Sequence, residues 1–104
     1  MATLLGLHAD RILEANALDL DEAQSRGLSA AMVDRLRLTR ERIDGLAKGV
    51  LEVADLPDPV GSLVEQNQRP NGLLVGRMRI PLGVVAMIFE SRPNIVVDAG
   101  VLCL

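Results

Sequence analysis

Aromatic side chains are almost absent from this sequence of 104 residues: Phe89 stands alone, with no Trp and no Tyr. An aliphatic core can still pack, but it forgoes the roughly 150–250 Å2 that each large ring buries. A small self-sufficient domain gains from such rings, so their scarcity suggests a piece of something larger. Cysteine is equally scarce: Cys103 alone excludes an internal disulfide framework and suits a reducing, cytoplasmic compartment. His8 is the only histidine, and without a Cys or His cluster no metal site is expected. Basic charge is short as well. Eleven Lys and Arg face fourteen Asp and Glu, a net charge of −3, so no electrostatic footprint for nucleic acid or an anionic membrane is present. A membrane span is also missing, because the most apolar region carries Glu90, Arg92 and Asp98. The first residues lack the basic start of a signal peptide. A chain of this length makes one domain at most.

What is present is concentrated in residues 80–104, IPLGVVAMIFESRPNIVVDAGVLCL. A short apolar run over residues 84–89, bounded by Gly83 and a polar turn and rich in Val and Ile, reads as a fully buried strand. Pro93 suits the first position of a helix, where its missing N–H costs nothing. Strand, polar turn and helix N-terminus together form the geometry in which α/β proteins bind anions. The sequence stops at VLCL with no Gly, Lys or Arg to close that helix, again the expectation for a piece of a longer protein.

Upstream, residues 1–56 read as helical. A helix is expected over residues 3–15, broken at Asn16 and Ala17, with Asp19 capping a short second helix over residues 20–25 and Glu22 as its capping-box partner. Gly27 supplies a left-handed C-terminal position. Ser29 and Thr39 cap two further helices, each with an apolar staple, Leu28 with Val33 and Leu38 with Ile43. The last helix carries an apolar stripe of Ile43, Leu46, Ala47, Val50, Leu51 and Ala54, with Gly45 and Gly49 as weak points or close-approach points. Pro57 and Pro59 end the helical region. Residues 62–80 read as a hairpin, in which Arg69-Pro70-Asn71-Gly72 fits a type I turn followed by a left-handed glycine. Its polar first strand has little to bury, so it pairs at an edge or with another chain. The fold class is therefore α/β: N-terminal helices, a hairpin arm, and the first strand–helix unit of an incomplete domain over residues 81–104.

The candidate chemistry sits in the turn at Glu90, Ser91, Arg92 and Asn94. Read as a ligand loop, Ser91 offers a hydroxyl, Arg92 a fork for phosphate or carboxylate, and Asn94 an amide near a helix N-terminus. Read as an ordinary capped turn, Ser91 or Arg92 closes the helix and Glu90 pairs with Arg92. Cys103 lies in an apolar context with no His near it, the setting of a buried, inert thiol. Asp98 reads as a helix-surface residue, and the charges over residues 34–44 as a solvated helix face. Gly72-x-x-x-Gly76 lacks a dinucleotide fingerprint, and there is no phosphate-binding loop.

Several stretches together resemble one family. ILEANALDLDEA (residues 12–23), LSAAMVDRLRLTRERI (28–43), LPDPVG (56–61), RPNGL (69–73) and PLGVVAMIFESRPNIVVDAGVLCL (81–104) are similar to γ-glutamyl phosphate reductase, also called glutamate-5-semialdehyde dehydrogenase. The resemblance runs from about Ile12 to Leu104, and PLGV followed by ESRPN is specific to that family within the aldehyde dehydrogenase superfamily.

The resemblance implies a cofactor domain, a catalytic domain and a small β-arm for oligomerisation, to which the 62–80 hairpin would belong, giving a homo-oligomer. It implies NADPH-dependent reduction of L-glutamyl 5-phosphate to L-glutamate 5-semialdehyde with release of phosphate, a step of proline biosynthesis. Carried onto this chain, Glu90, Ser91, Arg92 and Asn94 would be cofactor-binding residues, beside the nicotinamide and the reacting carbon. In the wider superfamily an asparagine of this turn helps form the oxyanion hole, and ungapped matching from Pro81 brings Arg92 or a neighbour to its place. The family's catalytic cysteine lies far downstream and is not Cys103, so no catalytic nucleophile is assigned here. The lysine- and glycine-rich segment expected just after VLCL is missing too. The expectation is an amino-terminal fragment of the reductase, inactive alone; the alternative is a non-catalytic interaction module or pseudoenzyme derived from the family.

Overall fold

The computed structural model describes residues 1–104 as two compact units, Leu56–Ala86 and the combination of Met1–Asp55 with Met87–Leu104. The second is helical. It comprises α1 (Ala2–Leu7), α2 (Ala9–Ser25), α3 (Ala30–Leu36), α4 (Arg40–Ala54) and α5 (Asn94–Leu102). Its core is aliphatic and small: Ala9, Ala23, Val33, Ile43 and Val50 are buried, and Ile43 is the one large side chain exposed by as little as 1%. Helix α4 is central, packing against α1, α2 and α5.

The helix boundaries follow local chemistry at most ends. Ser29 Oγ accepts from Met32 N at 3.4 Å and Thr39 Oγ1 from Arg42 N at 3.2 Å, so both expected caps form. Gly27 adopts φ +73°, and the Leu28 N–H reaches Ala23 O while the Gly27 N–H reaches Gln24 O, closing α2 with a Schellman motif. Glu41 sits in the first turn of α4. Its own backbone N–H, followed by the Thr39 hydroxyl, holds its carboxyl below the ordinary value of 4.5. That contribution to stability is present above the ordinary value and lost as pH falls through the lowered one.

One expectation fails early in the chain. The backbone does not break at Asn16, and Asp19 caps nothing: α2 runs unbroken from Ala9 to Ser25, and the only interruption lies at His8. Asparagine disrupts helices by turning its side chain onto local backbone. Here that side chain is engaged elsewhere. Asn16 is 4% exposed, its Nδ2 donates to Leu36 O at 2.9 Å, and its Oδ1 accepts from Leu38 N at 2.7 Å. It holds the α3–α4 connection from the middle of α2.

The stripe on α4 buries Ile43 and Val50 and half-buries Leu46 and Ala47, whereas Leu51 and Ala54 are exposed. Gly45 and Gly49 are helical glycines whose Cβ positions meet nothing within 4 Å, so no close approach explains them within this chain. Replacing either with Ala is expected to raise stability by about 0.5–1 kcal/mol through the lost backbone entropy alone. A urea titration of each variant checks this.

The other unit is a two-stranded antiparallel hairpin of β1 (Leu63–Gln68) and β2 (Leu74–Met78). Arg69 N–H bonds Leu73 O at 2.8 Å and Gly72 N–H bonds Arg69 O at 2.9 Å. Gly72 lies at φ +85°, as the Pro-Asn-Gly chemistry requires. A β-bulge at Glu65, φ +56°, shifts the register between Val64 and Gln66. Every residue of both strands is exposed.

Residues 84–89 correct a second expectation. They form no strand and are not buried: Val84 and Ile88 are as exposed as in an extended peptide, at 102% and 100%. A continuous apolar run specifies burial on both faces of a sheet, and this chain offers it no neighbouring strand. No helix is long and apolar enough to cross a membrane.

Candidate functional site

The polar turn leads directly into α5, which lies against α4. Ser91 takes the left-handed conformation at φ +50°, uncommon for a residue with a Cβ. It reverses the chain so that Arg92 and Pro93 enter the helix, and Arg92 O accepts from Ile95 N at 3.1 Å. Pro93 occupies the N-cap rather than the first helical position, with helical φ −62° and no side-chain cap. Backbone held in a sparsely populated region recurs at ligand sites, because surrounding structure must sustain it.

The four predicted residues share this turn but not one role. Neither Ser91 nor Arg92 closes the helix through its side chain, and Glu90 forms no ion pair with Arg92. Both readings of an ordinary capped turn therefore fail. The Ser91 hydroxyl, the exposed Arg92 guanidinium and the exposed Glu90 carboxylate make no hydrogen bond within the chain. Asn94 differs: its Nδ2 donates to Asp98 Oδ2 at 3.0 Å, one helical turn on. Asp98, expected on the helix surface, is exposed and serves as Asn94's acceptor.

Two clefts flank the start of α5, and Pro93 borders both. A cleft of about 380 Å3 is lined by Arg37, Arg42, Gly45, Gly49, Asn94 and Asp98 among others. A more apolar one of about 460 Å3 includes Ile12, Leu38, Ile43, Leu46, Val96 and Val97. Cys103, expected to be a buried thiol, is exposed at the C-cap of α5, where the helix ends and no element packs over it.

Two supporting residues escaped the sequence reading. Asn16 is one. Arg42 is the other: its Nη1 donates to Asp34 O at 2.8 Å and Arg37 O at 2.6 Å, and its Nη2 lies 3.4 Å from Asp34 Oδ1. Part of the stretch taken for a solvated charged face is thus the cap of α3. The available signal was the end of α3 itself, where no glycine follows and an arginine stands within reach of the open carbonyls.

Comparison with known proteins bears on the whole chain. No protein-family model matches it. It is 58% identical over 104 residues to the gamma-glutamyl phosphate reductase of Nitratidesulfovibrio vulgaris, covering all of this chain and 25% of that protein. The enzymes of the same name from Desulfatibacillum aliphaticivorans and Enterococcus faecalis are 55% and 52% identical, with the same 25% share of their length. A crystal structure of gamma-glutamyl phosphate reductase from Thermotoga maritima superposes with a TM-score of 0.87 at 40% identity, over 97% of this chain and 24% of that one. The helices, hairpin and strained turn are thus part of an aldehyde-dehydrogenase-like reductase fold. Within that class the chain is similar along its whole length to gamma-glutamyl phosphate reductases, and it spans about a quarter of the length of the relatives it matches.

Proposed function

We infer that this chain supplies the cofactor- and substrate-facing turn of a reductase that converts L-glutamyl 5-phosphate to L-glutamate 5-semialdehyde and phosphate, a cytoplasmic step of proline biosynthesis. The observation that carries the reading is Arg92. Its guanidinium is exposed and unpaired beside a left-handed Ser91, in a chain 58% identical throughout to a named gamma-glutamyl phosphate reductase.

The turn fits a nicotinamide cofactor in the kind of donors it offers. Ser91 and Arg92 have no partner within the chain, so their hydroxyl and guanidinium are free to meet the amide and oxygen acceptors of such a group. Asn94 is already bound to Asp98, so it steadies the first turn of α5 and Glu90 completes the rim. NADPH, when bound, would supply the hydride that reduces the acyl carbon to the aldehyde after the nucleophile has displaced phosphate. Arg92 would bind and orient the anionic substrate and stabilise negative charge on its carbonyl oxygen. The nucleophile of a thioester mechanism comes from outside these 104 residues, and Cys103 has no part in it. The exposed 62–80 hairpin would serve as the contact in a homo-oligomer.

The test is Arg92→Ala in a complete enzyme, with this chain in place of the matching quarter of the Nitratidesulfovibrio vulgaris reductase. kcat/KM is expected to fall about a hundredfold. Unchanged kcat and KM would remove Arg92 from the site.

A further inference from the structure

We propose that the cleft of about 380 Å3 beside Pro93 binds the zwitterionic head of an L-α-amino acid, with Arg35 and Arg37 taking its carboxylate and Asp98 with Asn94 taking its ammonium. Two sources share that chemistry: the amino-acid end of L-glutamyl 5-phosphate, which rests on the reductase reading above, and a free amino acid.

The cleft lies wholly within the helical unit, and its rim carries both signs of charge. Arg35 stands in the last turn of α3 and Arg37 follows it at the C-cap. Both border the cleft, and neither takes part in an ion pair. Arg42 borders it too, but its guanidinium is committed to Asp34 and to the carbonyls that end α3. On the α5 side, Asn94 Nδ2 donates to Asp98 Oδ2 at 3.0 Å. That bond sets the amide's direction, and it leaves Asn94 Oδ1 and Asp98 Oδ1 open as acceptors. The arginines do not close onto Asp98, so opposite charges border one space without meeting.

A guanidinium has only donors and matches a carboxylate through two parallel bonds; a carboxylate has only acceptors and suits an ammonium. An inorganic anion would satisfy the arginines and be repelled by Asp98. A simple cation would do the reverse. A ligand that carries both charges on one carbon satisfies both rims. The floor has room for it. Gly45 and Gly49, one turn apart on α4, line the cleft, and a Cβ at either would meet nothing within 4 Å. The volume falls within the roughly 300–1,000 Å3 of small-molecule sites. Arg92 and Asn94 are two residues apart, at most about 7 Å of chain, so an amino acid headed into this cleft can carry its acyl carbon to the polar turn.

Calorimetric titration of the Nitratidesulfovibrio vulgaris reductase carrying this chain in place of its matching quarter tests each rim. L-Glutamate is expected to bind at least about fivefold more tightly than glutarate, which lacks the ammonium, and than 4-aminobutyrate, which lacks the α-carboxylate. Asp98→Asn should weaken L-glutamate by about the same factor without weakening glutarate. The Arg35→Gln, Arg37→Gln double variant should weaken L-glutamate and glutarate while leaving 4-aminobutyrate unchanged. Arg35, Arg37 and Asp98 are all exposed, so these variants remove no packing. No measurable binding of L-glutamate, either analogue binding as tightly as L-glutamate, or L-glutamate binding indifferent to both variants would overturn the site. If the chimera is insoluble, the same titration on this chain alone is judged by the same outcomes. Inhibition kinetics distinguish the sources: competition between L-glutamate and L-glutamyl 5-phosphate places the substrate's own end in the cleft, and noncompetitive inhibition places a free amino acid there. Selective binding without turnover keeps the cleft site and removes the reductase reading; turnover with all three compounds bound alike keeps that reading and overturns the cleft site.

Discussion

Asn16→Leu is expected to destabilise the helical unit by about 2–4 kcal/mol, measured by urea titration followed by circular dichroism. Leucine preserves the volume but offers neither donor nor acceptor. The Leu36 carbonyl and the Leu38 N–H would each lose their partner at a site where the Asn16 side chain is 4% exposed. Each group left unsatisfied costs about 1–3 kcal/mol, and access of water at this part-buried site places the sum toward the lower half of the combined range. Asn16→Asp is expected to be no milder at neutral pH, because it keeps the acceptor for Leu38 N but buries a charge and sets a carboxylate oxygen against Leu36 O in place of the donor. A loss below about 0.5 kcal/mol for Asn16→Leu would show that the connection between α3 and α4 needs no such clamp.

Ile43→Ala is expected to cost about 2–4 kcal/mol, through lost transfer free energy and the cavity left behind. Ile43 is the only large side chain that is almost fully covered, at 1% exposure, and the rest of the core is Ala9, Ala23, Val33 and Val50. No ring is at hand to collapse into the space. Small domains are stable by only about 5–15 kcal/mol, and a core this sparse lies toward the lower end. Thermal unfolding should therefore show a lower midpoint and a broader transition than for the unaltered chain. The consequence reaches the site, because α5 and its strained turn are seated on α4. A midpoint unchanged within error would mean that the helices are held by something other than this core.

The parts that were legible in the sequence are those whose cause is local. Ser29 and Thr39 lie immediately before apolar runs, and a hydroxyl there has one obvious partner, the backbone N–H three residues on. Arg69-Pro70-Asn71-Gly72 encodes its own turn, because Pro presets one angle and Gly permits the other. The position of the polar turn before Pro93 was legible for the same reason. Asn16 was not, since its partners lie 20 and 22 residues away and its local preference is the opposite of what it does. Residues 84–89 show the converse limit. Their apolar pattern states that they want cover, and nothing in the pattern says that the cover comes from this chain. Within the site, residue type alone treated Asn94 as a free amide, and only the helix register reveals that Asp98 claims it.

The polar turn therefore has two tiers: half-buried Ser91 and exposed Arg92, neither hydrogen-bonded through its side chain within this chain, and Asn94 with Asp98, paired in the first turns of α5. The most direct measurement of whether that turn works is NADPH-dependent reduction of L-glutamyl 5-phosphate by the Nitratidesulfovibrio vulgaris reductase carrying this chain in place of its own matching quarter. Turnover within about tenfold of the parent enzyme is the predicted result. A folded chimera that binds NADPH as the parent does but forms no L-glutamate 5-semialdehyde would contradict it.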